Sequence, residues 1–165
     1  MKMRTSASDP LLIASLPAGE GLVGVTLCPG KQGDSVFGAG WVRDLATDLA
    51  AIRDWGASAL VTLIEDHEFE MLGVQALPEA VRAAGLEWHH LPVEDVHAPS
   101  SEFETRWVYA GARLRQRLRR GERVLRGEGI GGRRSVKFAH VADGDHAVDA
   151  GAVPAIAEMF ALNRQ

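Results

Sequence analysis

Apolar and polar positions change period repeatedly along the chain. Leu11–Ala14 and Leu22–Leu27 are short apolar runs separated by Pro17-Ala-Gly19, the pattern of two strands and a turn, after a loose leader over residues 1–10. Cys28 to Gly33 reads as a loop. From Trp41 the period lengthens: Leu45, Leu49 and Ile52 share one helical face, Asp44 and Asp48 take the other, and Gly56 supplies a stop. Ala59–Ile64 is a continuous run, apolar but for Thr62, as in a strand covered on both faces, and it opens into an acidic loop, Glu65–Glu68. Leu77–Gly85 predicts a second helix, with Pro78 in its first turn. A strand over Leu86–Val93 leads into the loop Glu94–Ser100. A long helix starts near Ser101, with Phe103, Trp107, Ala110, Leu114 and Leu118 as its buried stripe and its arginines outward. A last short strand, Arg123–Leu125, follows.

Strands alternating with helices through short connections predict an α/β fold with a mostly parallel central sheet flanked by helices. In such sheets ligands bind beyond the carboxyl ends of the strands. The acidic loop, the loop holding Asp95 and the loop after Leu125 all leave from such ends, which predicts one shared cleft. After Ser135 the periodicity is lost, and only Ala152–Leu162 again has helical spacing. The expected organisation is a domain over 1–135 and an atypical tail over 136–165.

The loop after the last strand carries glycines at 127, 129, 131 and 132, then Arg133, Arg134 and Ser135. Consecutive glycine N–H groups turn inward as an anion-binding nest, and arginine forks onto phosphate oxygens. The loop holds no Cys, and no Ser or Thr before Ser135, so it has the shape for a phosphate and lacks a nucleophile. Gly127-x-Gly129-x-x-Gly132 also satisfies a dinucleotide fingerprint, but no βαβ unit with a distal acidic residue follows it.

The net charge of −4 exerts no global pull on nucleic acid or membrane, yet ten of the fifteen arginines fall between Arg106 and Arg134, opposed there only by Glu122 and Glu128. This local field favours an anionic ligand: a phosphate ion, a phosphoprotein, or an acidic partner held by an arginine-rich face over 113–126. A single cysteine, Cys28, precludes an internal disulfide, and Leu11–Leu16 is too short and mixed for a signal segment, so a cytoplasmic protein is expected. His67, His89, His90, His97, His140 and His146 show no ligand spacing, and adjacent His89 and His90 point to opposite faces of a strand; neither a metal nor another cofactor is expected.

Five segments carry a family resemblance: Leu27-Cys-Pro-Gly-Lys31, Arg43 to Gly56, Val61-Thr-Leu-Ile-Glu-Asp-His-Glu68, Gly85 to Asp95, and the strand ending Val124-Leu125. Over about residues 22–125 the chain resembles the kinase-associated phosphatase (cyclin-dependent kinase inhibitor 3) family of dual-specificity cysteine phosphatases. The resemblance implies a cysteine-phosphatase-like fold and, in an intact member, hydrolysis of phosphoproteins. There the strand runs on into Val-His-Cys and a Cys-x-x-x-x-x-Arg loop. The thiolate attacks phosphorus, and an aspartate from an earlier loop protonates the leaving oxygen.

By that resemblance Asp95 falls on the general acid. Without gaps, Glu128 falls on the cysteine, Arg134 on the phosphate arginine and Ser135 on the hydroxyl after it. Gly129, Gly131, Gly132 and Arg133 supply the rest of the phosphate loop. A gapped reading pairs Gly129-Ile-Gly131 with the family's Gly-Leu-Gly and deletes Val-His-Cys. Both readings lose the nucleophile, and Cys28, with Asp34 six residues on, does not replace it. The expectation is an inactive relative that retains phosphate binding. A non-catalytic member and a chain whose C-terminal sequence is out of frame or rearranged both fit the abrupt end of the resemblance at Leu125.

Overall fold

A computed structural model describes residues 2–35, 38–93 and 100–128. In chain order they form β1 (Arg4–Thr5), β2 (Ala14–Ala18), β3 (Gly21–Leu27), β4 (Gln32–Ser35), β5 (Gly38–Val42), α1 (Leu45–Trp55), β6 (Ala57–Thr62), α2 (Asp66–Met71), α3 (Leu77–Ala83), β7 (Glu87–His90), α4 (Ser101–Arg119) and β8 (Arg123–Glu128).

The main sheet has the order β2-β3-β8-β6-β7. β3, β8, β6 and β7 are parallel, and β2 closes one edge antiparallel to β3. β8, the last strand in sequence, therefore lies in the middle. Alternate side chains of its neighbours feed two cores. Ala59, Val61 and Val124 join Leu114 and Leu118 of α4 on one face. Leu60 and Leu125 join Leu49 and Ile52 of α1 and Leu77 and Val81 of α3 on the other. That double cover is why Ala59–Ile64 has no polar period. The α/β architecture expected from the sequence is thus the one observed.

The element boundaries differ from the sequence reading in several places. Residues 1–10 are no loose leader: Arg4 and Thr5 pair in parallel with Trp41 and Val42 of β5. Trp41 does not open the helix, because Asp44 is the N-cap of α1 and its carboxylate accepts the Thr47 N–H at 2.7 Å. Residues ahead of a cap are extended, and Trp41 and Val42 suit a strand; they form a hairpin with β4. Pro17 lies within β2 and not in the turn, tolerated because β2 is an edge strand. The acidic stretch after β6 is helical from Asp66, with the Glu68 side chain reaching back to the Glu65 N–H at 2.6 Å.

β1, β5 and β4 make a small second sheet that follows the carboxyl end of β3. A buried ion pair fastens it. Asp48 of α1 accepts from Arg43 Nε and Nη2, both at 2.9 Å, from Ser6 Oγ at 2.8 Å and from the Gly30 N–H at 2.9 Å. Arg43 also donates to the Asp9 carbonyl at 2.8 Å. One carboxylate so joins the N-terminal segment, the β3–β4 loop, the end of β5 and α1.

Candidate functional site

Parallel strands deliver their following loops to one edge of the sheet, and four loops leave from that edge here. β3 gives Cys28–Lys31, β6 gives Leu63–Glu65 and then α2, β7 gives Leu91–Val93, and β8 ends at Glu128. Register places them side by side. Leu27 lies opposite Glu128, Gly127 lies opposite both Thr26 and Thr62, and the Val93 N–H donates to the Leu63 carbonyl at 3.0 Å. With neighbouring strands about 4.8 Å apart, the chain at Val93 is about 10 Å from β8.

Asp95, Gly129, Gly131, Gly132, Arg133, Arg134 and Ser135 lie outside the described residues, as do His97, His140, His146 and the tail over 136–165. Glu128 is described through its backbone, as the last residue of β8. What is placed is the frame of the predicted cleft: the two residues that lead into the Asp95 loop and the glycine loop, Val93 and Glu128, on the same edge.

The frame is lined tightly. Gly127 is flanked by Pro29, whose Cδ would lie 3.5 Å from an added Cβ. Thr26 and Thr62 are both buried, Thr26 Oγ1 donating to the Leu12 carbonyl at 2.7 Å and Thr62 Oγ1 accepting from Trp88 Nε1 at 2.9 Å. Cys28 is 1% exposed in the core beside α1, its thiol 3.7 Å from the Pro29 carbonyl. A thiol enclosed in apolar surroundings is a packing group.

His89 and His90 do face opposite ways. His89 Nε2 lies 2.7 Å from Glu87 Oε1 on the α4 face. His90 stacks on Trp88 with centroids 5.4 Å apart, and its Nε2 donates to the Ile64 carbonyl at 2.7 Å. Its Nδ1 faces Asp66 at 3.7 Å. Among the described residues no three His, Cys, Asp or Glu side chains gather as a metal site.

The arginines of 113–126 are not one outward face. Glu87 of β7 holds two of them: its Oε2 accepts from Arg113 Nη2 at 2.8 Å and from Arg117 Nε at 3.1 Å, with Arg117 Nη2 in closer contact still. The Arg113 hydrogen bond is the main reason the Glu87 carboxyl is held at about 2, against an ordinary 4.5; burial opposes it, and Arg117 and His89 add to it. Arg123 donates to the Trp55 carbonyl at 2.6 Å and lies over that indole. Arg126, in the central strand, is completely buried. The outward reading fails there because β8 is covered on both faces, which a short run ending at Leu125 concealed.

No helix among the described residues is long and apolar enough to cross a membrane. No family model and no curated protein matches the chain. Among solved structures it is similar to kinase associated phosphatase, determined with its catalytic-site cysteine substituted by serine. The identity is 19%, over 75% of this chain and 68% of that one, with a TM-score of 0.62. At that identity the likeness is one of fold: a mixed α/β layer with helices on both sides of a central sheet, similar to that of a dual-specificity phosphatase.

Proposed function

We propose that this protein is a phosphatase-like domain that binds a phosphoryl group without hydrolysing it. The observation that carries the reading is the position of β8. It is the central strand, and it ends at the carboxyl edge with Glu128 as its last residue. In the gap-free reading that is where a cysteine phosphatase has its thiolate. A glutamate supplies no thiolate, so the family's phosphocysteine intermediate cannot form there. Gly129, Gly131, Gly132, Arg133, Arg134 and Ser135 then serve as the anion cradle, with Asp95 as a vestigial general acid. The partner class is a phosphoprotein, recognised through its phosphate.

Titration with inorganic phosphate, followed calorimetrically, tests this. Binding is expected, and Arg134→Ala should weaken it about tenfold to a hundredfold, the loss of a charge-assisted hydrogen-bond pair. Absence of binding, or binding indifferent to both Arg133→Ala and Arg134→Ala, overturns the proposal.

A further inference from the structure

A second surface stands away from that edge. α4 begins at the carboxyl side of the sheet, where Arg106 Nη1 donates to the His90 carbonyl at 3.3 Å. It ends at the opposite side, where the Leu118 carbonyl lies 3.5 Å from a Cβ placed on Gly19. Its inner stripe is buried in the core. Its outer side carries Val108 and Tyr109, 73% and 68% exposed, the two most exposed large apolar side chains among the described residues. At 100° per residue they stand on either side of a line through Thr105 and Ala112, both small and exposed. Two exposed apolar side chains with small residues between them leave room for another helix to approach.

The cations along this seat outnumber the carboxylates that meet them. From Thr105 to Gly121 the sequence has six arginines and no carboxylate. Arg106 pairs with Glu102, Arg113 and Arg117 with Glu87, and Arg115 lies over Trp107. Arg119 and Arg120, exposed at the C-terminal end of the stripe, make no ion pair with the described residues.

We infer that the outer face of α4 docks an acidic amphipathic helix of a partner protein. Leucine-like side chains seat between Val108 and Tyr109, and carboxylates meet Arg119 and Arg120. This goes beyond the phosphate reading and uses none of its residues.

The stretch Thr105–Arg119 rises about 21 Å, so a labelled probe peptide of about fifteen residues spans it. One peptide carries Leu at helical spacing with Glu elsewhere, and a control has Gln for every Glu. Fluorescence anisotropy should show binding of the Glu peptide alone, weakening as salt passes about 0.1 M and unaffected by saturating inorganic phosphate. Val108→Ser with Tyr109→Ser, and separately Arg119→Glu with Arg120→Glu, should each weaken binding about tenfold or more. All four side chains are exposed, so the thermal melts of these variants should match the parent. Equal binding of the Gln peptide, no binding of either, or binding indifferent to the Val108 and Tyr109 changes overturns the inference. So does a sedimenting dimer abolished by those changes, which would make a second copy the occupant.

Discussion

Asp48 receives four hydrogen bonds from three different segments, and both it and Arg43 are almost fully buried. Removing the charge leaves a buried guanidinium uncompensated, so Asp48→Asn is expected to destabilise by about 3–5 kcal/mol in urea unfolding. A change under 1 kcal/mol would show that the pair is not what fastens the N-terminal segment. Glu87 acts differently, because its partners reach solvent. Its carboxyl is depressed to about 2 from 4.5 on folding, so its contribution is complete above the unfolded value and is lost as pH falls from 4.5 towards 2. Glu87→Gln should therefore lower the melting temperature at neutral pH and flatten the acid limb in that window; an unchanged acid limb would contradict the assignment. Gly24 is a packing constraint: an added Cβ would lie 2.8 Å from Ile13 Cγ2 and 2.9 Å from both Leu125 Cδ1 and Trp55. Gly24→Ala should cost about 1–3 kcal/mol through overpacking, measured in the same unfolding experiment.

The elements with the clearest period were the ones most legible from sequence. α4 has the stripe Phe103, Ala110, Leu114 and Leu118 buried as its spacing predicts, with Trp107 packed beside it. α1 stops at Gly56, whose φ of 91° is the left-handed conformation that its place after Trp55 suggests. Short segments were misread because their structure depends on partners distant in sequence. Arg4 and Thr5 are a strand only because β5 is there to pair with. Glu65–Glu68 reads as an acidic loop in sequence, although that acidity suits the first turn of a helix, where carboxylates meet exposed N–H groups. β8 extends three residues beyond Leu125, to Glu128, because its neighbours β3 and β6 offer a ladder on both sides. The site was legible as a set of loops at strand ends, and the parallel order of β3, β8, β6 and β7 puts those ends on one edge. Arginine roles were not legible, since Arg113, Arg117, Arg123 and Arg126 look alike in sequence and differ only in what the fold sets beside them.

Taken whole, the chain is similar in fold to a dual-specificity phosphatase, and its central strand runs to Glu128. The chemistry proposed for it follows from that one position, since what the described frame supplies is positional: two loop exits on one edge, about 10 Å apart. The measurement that tests the account most directly is hydrolysis of p-nitrophenyl phosphate by the parent chain beside Glu128→Cys. The account predicts no turnover by the parent above buffer. It predicts a gain in the variant, lost again when Asp95→Asn is added. Turnover by the parent, or a folded Glu128→Cys protein with none, would contradict it.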